Sequence, residues 1–256
     1  MSLFTEHELA DFKRDGFVKV TGLVEPSLID RILEYTDGAV AKHVGPIEYE
    51  SDLGYPGAPD SRDAPGGDTV RRLLKAFGRD PSFTELASHP QIVTRLRQLL
   101  GSELVLPLAH HNCVMVKAPC YGTATGWHQD IRYWRFRQPK LVTMLLALSP
   151  ATETNGCLKV IPGSHVLTLA EDRLDTAEFL REDHPDNQEL IHASVPLTMQ
   201  AGDVAFFHCR TFHAAGSNQN ELARKSVLFT YRSSDNPPIA GTRSSMSPEL
   251  LLHAEE

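Results

Sequence analysis

The run Leu141-Val142-Thr143-Met144-Leu145-Leu146-Ala147-Leu148 limits the fold more than any other stretch, because only Thr143 among its eight residues is polar. Strand side chains alternate between two faces. A strand of this composition must therefore be covered on both sides. The surrounding pattern is also β. Leu104 to Val116 reads as one or two strands, and Cys157 to Ile161, Ala193 to Met199, Val204 to His208 and Ser226 to Arg232 read as further ones. Asn155-Gly156, Pro162-Gly163-Ser164 and Ala201-Gly202-Asp203 are the turns between them.

Helical signals belong to the first hundred residues. Thr5-Glu6-His7-Glu8 is a capping box, with Phe4 and Leu9 as its hydrophobic staple and Gly16 as its stop. Phe17 to Val20 reads as a short strand. Pro26 opens a second helix with Leu28, Ile29, Ile32 and Leu33 on one face. Arg71 to Phe77, Pro81 to His89 and Gln91 to Leu100 read as helical, and Gly101 ends the series. The expectation is a mainly β protein with N-terminal helices, a sandwich or barrel with helices packed on one face. Its 256 residues fit one domain. The helical part is expected over about 1–101, the β core over about 102–232 and a tail over 233–256, with a short helix from Pro248.

Between 44 and 68 the character changes: five Gly and four Pro fall in 25 positions. Loops this long are functional or disordered, and Tyr49, Leu53 and Tyr55 argue for order. The stretch is read as a lid over a site, with a packed surface loop as the alternative.

Composition excludes several functions. Net charge is −8 and no basic tract exists, which disfavours nucleic acid. No apolar run approaches the roughly 18 residues that span a bilayer, and no secretion signal is visible. Cys113, Cys120, Cys157 and Cys209 lack disulfide or zinc spacing. Reduced thiols, a cytoplasmic setting and a small-molecule partner are expected.

The chemistry centres on Trp127-His128-Gln129-Asp130. On a strand, His128 and Asp130 at i and i+2 share a face. An imidazole and a carboxylate there are two of the three ligands of a 2-His-1-carboxylate iron site. The pair alone says little, since 12 His and 16 Asp produce His-x-Asp about once by chance. A second copy, His184-Pro185-Asp186, lies in a charged run and reads as a solvated loop. Val204 to His213 offers His208 and His213 as a third ligand. Arg224 follows 11 residues after His213. Its planar, permanently charged fork suits a carboxylate.

With Asn155-Gly156-Cys157-Leu158, Ile161-Pro162-Gly163-Ser164-His165 and the stretch from Gly202-Asp203 through His213-Ala214-Ala215-Gly216-Ser217-Asn218 to Arg224, the chain resembles the phytanoyl-CoA dioxygenase family of non-haem Fe(II)/2-oxoglutarate oxygenases. The resemblance runs from about Phe12 to Tyr231. It implies a double-stranded β-helix, or jelly roll, with iron at its open end on His128, Asp130 and His213. It further implies Arg224 on the distal carboxylate of 2-oxoglutarate, with Lys75, Cys113 and Gln129 near the cosubstrate and O2 as the oxidant. Two departures are visible: Ala215 stands where some relatives have Ser, and Leu145-Leu146 where some have Trp.

Arg71, Arg72, His111, Arg132, Tyr133 and Trp134 are candidate substrate contacts, the arginines suggesting an anion. His110 and His111 are adjacent, so only one is expected to point inward, and His111 is preferred. His208 is read as a packed or supporting residue. The implied reaction is hydroxylation of an unactivated C–H bond with release of succinate and CO2. Desaturation and ring formation stay open. Asp130 argues against halogenation, which removes the carboxylate. A zinc hydrolase on the same ligands would leave Arg224 without a task, and there is no His-Glu-x-x-His. A non-catalytic jelly-roll binding module is the remaining alternative.

Overall fold

The structure, a computed structural model, describes residues 3–252. Its first helix, α1 (Glu6–Asp15), begins with the reciprocal box: Glu8 N donates to Thr5 Oγ1 at 3.2 Å and Thr5 N to Glu8 Oε2 at 2.8 Å. Gly16 ends it at φ +82, and a Cβ there would meet His165 Nδ1 at 2.5 Å and Thr211 Oγ1 at 2.7 Å. Glycine is thus required by conformation and by space. After β1 (Phe17–Val20), α2 (Pro26–Ala41) buries Leu28, Ile29 and Ile32.

The helix expected over Arg71 to Phe77 is not there. Val70–Leu74 is a strand, β3, hydrogen-bonded to β2 (Ile47–Tyr49). Good helix formers are overridden by cross-strand pairing: Arg72 lies opposite Glu48 and Leu73 opposite Ile47. Lys75, at φ 56, then turns the chain out of the sheet. The helices α3 (Pro81–Ala87) and α4 (Pro90–Leu100) follow, each with proline in its first turn.

The remaining elements are β4 (Leu104–Pro107), β5 (Asn112–Lys117), β6 (Thr125–His128), β7 (Leu141–Ala147), β8 (Leu158–Val160), α5 (Pro185–His192), β9 (Val195–Leu197), β10 (Val204–His208), β11 (His213–Ala215), β12 (Arg224–Ser233) and β13 (Glu249–Leu252). Two expectations fail here. His184-Pro185-Asp186 is not a loop but the start of α5, because Pro185 fits a first helical turn. The tail forms a strand rather than a helix, since Glu249–Leu252 pairs with β4; residues 253–256 lie outside the described residues.

The large sheet runs β1-β10-β7-β12-β5-β3-β2, with β4 joined to β12 and β13 to β4. The small sheet runs β6-β11-β8-β9. This mainly β architecture is consistent with a jelly roll. Strands of the first hundred residues, β1 to β3, belong to the large sheet. The apolar run Leu141–Leu148 divides as its composition requires. Met144 and Leu146 pack with the helical residues Leu28, Ile32, Phe83 and Leu96. Leu145 and Ala147 pack with Ala151, Cys157, Leu197 and Phe207. Beside the β8–β11 pair of the small sheet, Gly156 at φ +72 approaches Gly216, whose carbonyl oxygen would lie 2.2 Å from any Cβ.

Candidate metal and cosubstrate site

His128 and His213 are direct partners across the antiparallel β6–β11 pair. Side chains so opposed share a face, and the two rings lie 4.3 Å apart. Asp130 joins them differently from the strand alternation expected. β6 ends at His128, and Asp130 is the first residue of a 3-10 turn, Asp130–Tyr133, which Ile131 N ties to Cys209 O at 3.1 Å. Asp130 Oδ1 reaches within 3.5 Å of His213 Nε2 and 3.9 Å of His128 Nε2. The three ligand atoms lie within 4.8 Å of one another and could hold a metal ion.

The donor set fits iron in a further respect. His128 Nδ1 is 2.8 Å from Gly126 O, and His213 Nδ1 is 3.0 Å from Thr211 O. Each Nδ1 donates its proton to a carbonyl, which leaves the Nε2 lone pair aimed at Asp130. Burial, reinforced by His213, holds His128 well below the ordinary imidazole range, so it stays in the neutral, ligating form.

A cavity of about 630 Å3 opens from this triad. At one end lies Arg224, first residue of β12. It is buried, its Nε has no hydrogen-bond partner among the described residues, and burial pushes it down to about 10. An unpaired buried guanidinium is costly unless an anion completes it, which is the fit expected for a cosubstrate carboxylate. Cys113 on β5 lines the same cavity opposite Leu228, four residues along β12 from Arg224, its thiol pushed up to about 11 by burial. Lys75 lines the wall from its left-handed backbone conformation.

Gln129 does not belong to the cavity wall. Its Nε2 donates to Arg210 O at 2.5 Å, because the residue between two ligands points away from them. Arg71 and Arg72 do line the cavity but are already neutralised, so they are not free anion receptors. Arg71 Nη1 donates to Glu50 at 2.9 Å, and Arg72 pairs with Glu48 through both Nε and Nη2. Arg132 is different. It is buried, donates to Ala177 O, stacks on Phe179 at 3.8 Å and on Tyr133 at 4.4 Å, and has no carboxylate partner among the described residues. Tyr133 is exposed at the mouth, whereas Trp134 is buried.

His110 and His111 are not on a strand, so alternation does not separate them, and both line the cavity. His111, at φ 37, sets Nε2 3.3 Å from Asp130 Oδ1 and Nδ1 3.3 Å from Thr143 Oγ1. His110 stacks on Trp134 and bonds Ser244 Oγ at 2.8 Å. His208 lies outside the triad, facing His165 and accepting from Arg210 N. Glu48, Leu53 and Tyr55 bring the Gly/Pro-rich stretch into the wall.

Sequence reasoning missed several lining residues, the polar Lys117, Arg243 and Thr125 among them. The first was legible. Cys113, Met115 and Lys117 alternate on β5, so a site-facing Cys113 implies a site-facing Lys117. Arg243 carried no local signal.

Comparison with known proteins agrees with this geometry. The model of the family described as "Phytanoyl-CoA dioxygenase (PhyH)" matches residues 12–226. A probable phytanoyl-CoA dioxygenase of Caenorhabditis elegans is 28% identical over 180 residues, covering 66% of this chain and 56% of its own. A probable alpha-ketoglutarate-dependent hypophosphite dioxygenase of Stutzerimonas stutzeri is 30% identical over 189 residues, 72% of this chain and 64% of its own. The chain thus spans 56% and 64% of these two relatives' lengths. In fold it resembles EctD from S. alaskensis, solved with 2-oxoglutarate and 5-hydroxyectoine, at a TM-score of 0.76 and 21% identity over 92% of this chain and 78% of that one. With two histidines, an aspartate and an arginine unpaired among the described residues in one cavity, and a family match over most of its length, the chain belongs to the phytanoyl-CoA dioxygenase family of Fe(II)/2-oxoglutarate-dependent oxygenases.

Proposed function

We propose that this chain hydroxylates an unactivated C–H bond of a small anionic molecule, holding Fe(II) on His128, Asp130 and His213 and 2-oxoglutarate against Arg224. The observation that carries the reading is the pairing of the three convergent ligands with a buried guanidinium that has no partner among the described residues, in the same cavity. A zinc hydrolase needs the first but has no use for the second. Fe(II) with 2-oxoglutarate and O2 supplies the oxidising power: substrate C–H becomes C–OH, and the cosubstrate leaves as succinate and CO2.

The chain's own residues position and shield. Arg224 orients the cosubstrate by its distal end, and Cys113 and Lys75 flank it. Thr143 Oγ1, 3.5 Å from Asp130 Oδ2, braces the carboxylate. Tyr55, on the Gly/Pro-rich stretch, stacks edge-on with Phe179, whose ring lies over His128 at 5.6 Å. This stretch acts as the cover that excludes water. Substrate charge follows from Arg132 and Arg243, which line the cavity without carboxylate partners among the described residues. His111, Tyr133 and Trp134 bound the same space. Hypophosphite, named for one relative, is itself an oxyanion, which supports the reading. All four cysteines are free thiols, consistent with a reducing cytoplasm, and no described helix is long and apolar enough to cross a membrane.

The test is succinate release by the Fe(II)-loaded protein with 2-oxoglutarate and O2, across a panel of small carboxylates and phosphonates and their neutral amides and esters. The expected result is stimulation by anions over their neutral counterparts. Hydrolysis with zinc and no dependence on 2-oxoglutarate would overturn the proposal.

A further inference from the structure

We propose that Lys117 is a second cosubstrate-binding residue, its ammonium sharing the distal carboxylate of 2-oxoglutarate with Arg224. The inference rests on the reading above, in which Arg224 takes that carboxylate. Lys117 ends β5 and Arg224 begins β12, and the two are direct partners in the antiparallel pair. Both are buried and both line the cavity. Lys117 Nζ donates to Thr123 O at 2.8 Å and Gly216 O at 2.7 Å. An ammonium has three protons, so these two carbonyls orient the head and leave one donor for a ligand.

Charge gives the reason. The groups packed around Lys117 are Arg224 on β12, Arg71 on β3 and Glu50, which follows β2. Glu50 takes Arg71 at 2.9 Å and Thr123 Oγ1 at 2.6 Å, both on Oε2, while its buried Oε1 has no hydrogen-bond partner among the described residues. When protonated, three buried cations therefore face one buried carboxylate, and the excess sits on Lys117 and Arg224. Buried like charges without an anion are unfavourable. One carboxylate placed between them relieves both, Arg224 binding as a planar fork and Lys117 as a point charge. Burial first, then Arg224 and Arg71, push Lys117 down to about 7. Arrival of the anion raises it again, so binding takes up a proton above that pH. A lysine that merely staples two loops through its carbonyl contacts has neither property.

The experiment compares 2-oxoglutarate with 2-oxobutanoate on the anaerobic Fe(II)-loaded protein. Both acids chelate through a keto-acid group, and only the first has a distal carboxylate. Binding is read from the visible charge-transfer band and by calorimetry in two buffers of different ionisation enthalpy. For wild type at pH 8 the expected result is uptake approaching one proton with 2-oxoglutarate and none with 2-oxobutanoate. The 2-oxoglutarate Kd should rise up to about tenfold from pH 8 to 9. Lys117→Met should weaken 2-oxoglutarate by roughly 10- to 100-fold, abolish its proton uptake and leave 2-oxobutanoate unchanged. Equal loss of both acids, or wild-type binding of 2-oxoglutarate without proton uptake, overturns the proposal; the second result needs no variant to fold. A band with both acids but no such discrimination removes Lys117 alone. No band with either acid removes the oxygenase reading beneath it.

Discussion

The two faces of the large sheet are built from the same strands and do opposite work. On β12, Val227, Phe229 and Tyr231 turn to the helices and are wholly buried in apolar contact. Arg224, Ser226 and Thr230 alternate with them and turn to the cavity side. The helix face is satisfied as it stands. The other carries an arginine without a partner among the described residues, beside a triad whose ligand atoms converge. Stability and chemistry are thus separated by one residue of register, because a strand's alternation has period two.

Substitutions on the two faces should therefore fail differently. The largest effect is expected at His213: His213→Ala removes one of three ligands, and anaerobic titration should show no Fe(II)-cosubstrate band while thermal unfolding stays cooperative. On the helix side, Phe229→Ala should cost about 3–5 kcal/mol in urea unfolding, with the remaining folded protein still forming the band. Arg224→Met should reverse that pattern. It should weaken 2-oxoglutarate by about 2–5 kcal/mol yet leave the ligand-free protein no less stable, since it removes an unpaired buried charge. A marked loss of ligand-free stability would place a hidden partner on Arg224. Thr143→Val, which frees Asp130 Oδ2 from its brace, should weaken Fe(II) about tenfold, and should lower stability by about 1–3 kcal/mol because Thr230 Oγ1 loses its buried partner.

The remaining effect is one of pH. Burial holds His110 down to about 3, so the folded state keeps it neutral where the unfolded chain, near 6.5, protonates. The unfolded state then binds more protons, and stability falls as pH drops from about 6.5 towards 3. One such group contributes a slope of at most about 1.4 kcal/mol per pH unit. His110→Gln should flatten the acid limb of the melting curve, and an unaltered limb would assign it to other groups.

Much of this arrangement was legible because it is local. The capping box at Thr5, the stop at Gly16 and the two-faced strand at Leu141–Leu148 each follow from residues in sequence contact. Ligand identity was legible from residue type and resemblance, whereas the turn that delivers Asp130 was not, since its geometry comes from the Ile131–Cys209 backbone bond between distant segments. The strand at Val70–Leu74 was misread as a helix because its partners, β2 and β5, lie elsewhere in the chain. Arg71 and Arg72 looked like free charges for the same reason: Glu50 and Glu48, which neutralise them, are 21 and 24 residues away. Arg243 enters the cavity from a tail held by β13 pairing and by Ser244, which binds both His110 and Arg135 N.

Anaerobic titration of the metal-free protein with Fe(II) and 2-oxoglutarate, followed through the visible charge-transfer band, tests the central claim most directly. It should be run for wild type beside Arg224→Ala and His213→Ala. The account predicts a band in wild type that is lost without His213 and weakened without Arg224. A folded wild type that binds Fe(II) and 2-oxoglutarate but shows no band, or whose band survives His213→Ala intact, would contradict it.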